Sequence, residues 1–144
     1  MYFYVGNQGN FDNMIFLSLK KLKELYPQIE YTVVLAYMMS ETTDKKYDEI
    51  SLYSNGMEYV PKRFAISHRN DWMIKHSNFV ICYIRNHFGG AYKCVEKAKR
   101  KKRIILNIFS EKNSPSSYEY FFDIVFLFVI NLAFFYLNIS YNNN

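Results

Sequence analysis

The chain has 144 residues, half of them hydrophobic and 19% aromatic, which is enough for one domain with a substantial core and excludes disorder as its general state. The net charge is +5, yet much of the excess lies in one run, "KAKRKKR", from Lys97 to Arg103, which reads first as a solvated helix end where cations suit the helix dipole. Cys82 and Cys94 form no CxxC pair and no disulfide framework, which points to a reducing compartment, and His68, His76 and His87 show no metal-ligand spacing with them. No metal and no cofactor is expected. The opening "MYFYVGNQGNFD" lacks the basic start and apolar core of a signal peptide.

Residues 2–5, "YFYV", read as a strand. "GNQGN" follows, then a helix from about Asn10 to Tyr26, with Phe11, Ile15, Leu19, Leu22 and Tyr26 as its apolar stripe. Asn10 is the expected N-cap and Pro27 the stop. "YTVVLAY", residues 31–37, is continuously apolar and rich in β-branched residues, as in a strand buried on both faces. Residues 38–59 are polar with weak periodicity and read as a long loop, of the kind that serves as a binding element or lid. "AISHRNDWMIKHS", residues 65–77, reads as a short helix with Ser67 as its cap. "FVICYI", residues 79–84, is a second buried strand in which Cys82 acts as a small hydrophobe. "GGAYKCVEKAKRK" is a helix opening at its glycines, and "RIILNIF", residues 103–109, is a further strand.

This alternation predicts an α/β fold: a Rossmann-like parallel sheet flanked by helices, with right-handed crossovers. Ligands of such sheets bind beyond the carboxyl ends of the strands. Both glycine turns and the loop after Tyr37 lie at those ends.

The tail does not continue the pattern. Phe121 to Leu137 is apolar except at Asp123 and Asn131, close to the shortest length that spans a membrane. Three readings compete: a C-terminal membrane anchor, an apolar helix buried against the domain, or a non-native extension from a shifted reading frame. The expected organisation is a domain over residues 1–110, a linker over 111–119 and the apolar tail over 120–144, in a cytoplasmic protein that is tethered if the tail is an anchor.

Three pieces carry chemistry. Gly6 and Gly9 lie between a strand and a helix, where backbone N–H groups and the helix start favour a phosphate. Gly89 and Gly90 stand in the same setting, with Glu96 about two helical turns on. Arg69 opens the segment before the second glycine turn, and a guanidinium binds phosphate or carboxylate bidentately. The plain alternatives are tight βα turns, an exposed glutamate among Lys93, Lys97, Lys99 and Arg100, and a surface arginine beside Asp71. Trp72 and Met73 read as core.

Arg69, then "WMIKHSNFVICYI", then "GGAYKCVE" resembles the SLOG superfamily, the Rossmann-like group that includes the LOG phosphoribohydrolases and the DNA-processing protein A proteins. Gly89, Gly90 and Glu96 match the LOG pattern PGGxGTxxE in register, and Arg69 matches its arginine. "FYVGNQGNFDNM", "VVLAYM", "VPKRFAISHRNDWMI" and "GGAYKCVEKAKRK" are similar to a set of small bacterial SLOG proteins, so that the resemblance covers about residues 2–109. Phe88 replaces the proline of the pattern, and Tyr92 and Lys93 replace its later Gly and Thr. Family members also begin with another strand and helix. The chain starts at the family's second strand, which leaves two inner strand edges unpaired and makes a truncated or mis-started copy the preferred expectation, with the tail covering part of the gap as the alternative.

The resemblance implies a nucleotide or ribose-phosphate ligand held by Gly6, Asn7, Gly9, Arg69, Asn86, Gly89, Gly90 and Glu96. It implies N-glycosidic hydrolysis of a nucleoside monophosphate, with Glu96 and Arg69 as catalytic residues, if the chain is an enzyme; the lost Gly and Thr favour binding over catalysis. A homodimer is expected on the same ground. A membrane-tethered structural or interaction protein is the reading from another class. Nucleic acid is not an expected partner, because no aromatic-interleaved basic strip accompanies the run.

Overall fold

The computed structural model describes residues 1–37, 51–53 and 56–109. In chain order they form β1 (Tyr2–Val5), α1 (Asn10–Leu25), β2 (Glu30–Val34), β3 (Ser51–Leu52), a 3₁₀ turn (Met57–Tyr59), α2 (Lys62–His76), β4 (Phe79–Cys82), α3 (Gly90–Arg100) and β5 (Ile104–Asn107). The class is mixed α/β with short parallel strands. The strands form two sheets rather than the single expected one: β1-β2-β3 and β4-β5. β1 and β4 each stand at an edge of their own sheet. The three readings of the tail, and the linker before it, lie outside the described residues. Among the described residues no helix is long and apolar enough to cross a membrane.

Parallel register explains how the first sheet is covered. Phe3 pairs with Tyr31 and Val5 with Val33, so these four side chains share one face. That face packs on α1, in a core of Val5, Phe16, Leu19, Leu22, Ile29, Tyr31, Val33 and Leu35. Tyr2 pairs with Glu30 and Tyr4 with Thr32 on the opposite face. There the Tyr2 hydroxyl hydrogen-bonds Thr32 Oγ1, and Tyr4 meets the edge of Trp72 from α2 at 5.2 Å. The sheet is therefore covered on both sides, as its continuous apolar strands require.

In the second sheet β4 and β5 pair from Phe79–Ile104 to Cys82–Asn107. The ladder is prolonged by a side chain: Ile84 N–H donates to Asn107 Oδ1, and Asn107 Nδ2 donates to Ile84 O, both at 2.9 Å. α3 packs on both strands, burying Val95 and Ala98.

Helix ends differ from expectation in instructive ways. α1 begins at Asn10, but its cap position is Gly9, with no side-chain cap. α2 begins at Lys62 after Pro61, so Ser67 is an interior residue and not a cap. At its other end, carbonyls of the last turn are engaged by side chains. His76 Nδ1 hydrogen-bonds Trp72 O, Ser77 Oγ donates to Met73 O, and Arg103 donates to Ile74 O and Lys75 O. α3 ends in a Schellman pattern: Arg103 N–H donates to Ala98 O and Lys102 N–H to Lys99 O, with Lys102 left-handed at φ 54°. Of the long loop, residues 38–50 and 54–55 lie outside the described residues; the rest supplies β3, parallel to β2, and the 3₁₀ turn.

Two measurements probe this packing. Leu22 is fully buried while Leu25, on the same helix, is 62% exposed. Leu22→Ala should cost about 2–5 kcal/mol in urea denaturation, and Leu25→Ala should stay within about 0.5 kcal/mol of the parent. Burial raises the Cys82 thiol from its ordinary 9.0 to about 11, and burial also raises the Tyr31 phenol. A folded pKa above the unfolded one contributes stability that is complete below the unfolded value and lost as pH rises through the folded value. The melting temperature should thus fall between pH 9.0 and about 11, and Cys82→Ala should remove part of that fall.

Candidate functional site

β1 ends at Val5, and the chain turns through Gly6, Asn7, Gln8 and Gly9 into α1. Gly6 is buried. A Cβ there would overlap Asp12 Oδ2 and stand 2.5 Å from Arg69 Nη1. The glycine is required by close approach: an ion pair lies directly against its backbone. Asp12 Oδ2 accepts the Gln8 N–H at 2.9 Å and sits 3.5 Å from Arg69 Nη1. An acid in the first turn of α1 also complements the helix dipole.

Arg69 is 4% exposed. Its Nε and Nη2 donate to Asn70 Oδ1 at 3.1 and 2.9 Å, and its Nη1 donates to Asn7 Oδ1 at 3.4 Å. Desolvation lowers its pKa, and the Asp12 carboxylate acts against that shift. Cys94 on α3 and Tyr37 after β2 are also close enough to act on its charge. The arginine is therefore not a surface residue beside Asp71. Asp71 receives Lys97 instead, with Nζ 2.8 Å from each carboxylate oxygen. Trp72 is half-buried and stacks on His76 at 4.0 Å.

The second turn copies the first in its backbone. Gly89, at the cap position of α3, has φ 92° and ψ −179°; Gly9, at that of α1, has φ 98° and ψ 172°. That region is essentially open to glycine alone. Among the described residues, no atom lies within 4 Å of a Cβ at either position or at Gly90, so the constraint there is conformational. Phe11, at the start of α1, stacks on Tyr83, just after β4, at 6.4 Å, which brings the two turn regions toward each other. The turns differ in charge: the first turn of α1 carries Asp12, and the first turn of α3 carries no acid.

The expected ligand residues thus fall into groups. Gly6, Asn7, Gly9 and Arg69 come together. Gly89 and Gly90 form a matching exposed turn, and Asn86 is exposed in the loop before it. Glu96 is paired within its own helix, with Lys99 at 2.7 Å, and hydrogen bonding to Lys99 lowers its pKa. Tyr92, which also acts to lower the Glu96 pKa, packs edge-on against His87 at 5.6 Å. Asp12, Asn70 and Cys94 around Arg69 are additions that the sequence reading missed. Asp12 had a legible signal, since an acid three residues after a helix-opening glycine is placed to reach back to the turn. Comparison with protein-family models, with curated proteins and with solved structures returns no match.

The close approach at Gly6 is testable by coupling. Asp12→Ala should cost about 2–3 kcal/mol, because it leaves a buried guanidinium with only amide oxygens. Gly6→Ala should also destabilise, by forcing Asp12 and Arg69 apart. In the Asp12→Ala background the cost of Gly6→Ala should shrink by about 1 kcal/mol or more. Strict additivity in chemical denaturation would show that the pair does not press on Gly6.

Proposed function

We infer that this domain binds a nucleotide or a related phosphate-bearing small molecule at the carboxyl ends of its strands, as a SLOG-like domain. The observation that carries the reading is the repeated turn: two helices, each following a parallel strand, opened by glycines of the same backbone conformation that no other described residue crowds. Helix starts of this kind present N–H groups to an anion. The motif resemblance through Arg69, Gly89, Gly90 and Glu96 supports the same ligand class.

Arg69 is assigned a positioning role. Its burial under Gly6 and its bond to Asn7 fix the shape of the first turn from behind, and its charge adds to the local field. Glu96 supports binding rather than hydrolysis. Hydrogen-bonded to Lys99, its carboxyl is held below the usual range, so near neutral pH it is ionised and has no proton to give a departing base. A ribose hydroxyl is a suitable partner for it, as a donor to a carboxylate.

The test is calorimetric titration of the purified full chain with nucleoside monophosphates, alongside mass spectrometry of small molecules that co-purify. Saturable binding is expected, weakened several-fold by Gly89→Ala, which strains the turn at a positive φ. Absence of both saturable binding and a retained nucleotide would refute the assignment.

A further inference from the structure

A cavity of about 270 Å³ lies where the end of β2, the 3₁₀ turn and the start of α2 meet. Ala36, Val60 and Ala65 line it with smaller side chains, Tyr37, Tyr53 and Met57 with larger apolar ones, and Glu58 and Lys62 are its charged lining residues. The geometry points to this cavity as the seat of a planar aromatic ring of an anionic ligand, a nucleobase-type group whose phosphate extends toward the glycine turns. The phosphate half of that statement rests on the function proposed above; the ring half rests on the cavity alone.

Four observations carry it. The volume suits one ring system rather than a long chain or a protein segment. Two tyrosines and a thioether are surfaces that favour flat π-systems, and the Tyr37 ring is fixed because its hydroxyl donates to Lys62 O at 3.2 Å. The charge at the lining is suited to an anion: among the described residues Lys62 Nζ has no carboxylate partner, and the first turn of α2 contains no acid. Glu58, which also lines the cavity, accepts the Gly56 N–H at 3.0 Å, so its carboxylate is engaged by its own turn. Finally, the cavity adjoins the candidate site. Ala65 and Arg69 are both buried and lie four residues apart on α2, one above the other on the same helix face, and Tyr37 is near enough to Arg69 to act on its charge.

The experiment compares adenosine, guanosine, their monophosphates and ribose 5-phosphate by calorimetry on the full chain, as the parent, as Ala65→Leu, which fills the cavity, and as Lys62→Glu. At least one monophosphate should bind about tenfold or more tighter than ribose 5-phosphate. Ala65→Leu should erase that difference, and Lys62→Glu should weaken the monophosphate more than the nucleoside. If Ala65→Leu does not fold, judged by its melting transition, Tyr53→Ala should produce the same selective loss. Monophosphates that bind no better than ribose 5-phosphate, or that bind equally well after the cavity is filled, overturn the ring site and leave the phosphate site standing. Nucleosides that bind while ribose 5-phosphate does not overturn the phosphate site and support the cavity. Silence from all the probes overturns both.

Discussion

The fold turns on the burial of one cation. Taking a guanidinium out of water is costly unless charge and hydrogen bonds replace the lost hydration. Arg69 meets that demand with groups from two separate parts of the chain: Asp12 and Asn7 from the β1–α1 region, and its neighbour Asn70 on α2. The pairing fixes α2 against the first sheet at the level of Gly6, while Trp72 of α2 packs on Tyr4 of the same sheet. The other end and side of α2 belong to the second sheet, through Arg103 on its terminal carbonyls and Lys97 on Asp71. α2 is thus the joint between two sheets that share no strand pairing, and the Arg69 cluster is the part of that joint that also shapes a candidate ligand turn.

Strands and most helices were legible in the sequence because they follow burial. The apolar runs at 2–5, 31–37 and 79–84 each became a parallel strand, the last two ending earlier than read, at Val34 and Cys82. α2 was read short at its start because its pattern is inverted. Phe64 and Ile66 are exposed, whereas Arg69 is buried, so apolar periodicity gives no boundary, and Pro61 supplies no side-chain cap to mark one. The alternative of a surface arginine beside Asp71 fails for a geometric reason. Residues two apart on a helix project to nearly opposite sides, so Asp71 was never placed to pair with it. The division into two sheets was not legible as such, since apolar strands specify that they are buried but not which edges meet.

The basic run shows how charge counted in sequence disperses in structure. Lys97 is committed to Asp71, Lys99 to Glu96, and Arg103 to the carbonyls that end α2. Lys102 occupies the left-handed position of the helix stop. A segment that reads as one patch is therefore mostly a set of local tasks at the end of α3, where its charges also offset the helix dipole.

The two glycine turns share a backbone but not an electrostatic state, and that difference would orient the proposed ligand. At α1 a carboxylate already occupies the first turn: Asp12 accepts the Gln8 N–H and faces Arg69. A phosphate placed there would compete with a fixed negative charge. At α3 the same glycine conformation opens a helix with no acid in its first turn, so its N–H groups remain the better end for an anion. Under the proposed function, the asymmetry favours hydroxyl or amide groups of the ligand at the first turn, with Asn7 held by Arg69, and the phosphate at the Gly89–Gly90 turn. Glu96, paired with Lys99 beyond the first turn of α3, leaves that helix start without a competing carboxylate.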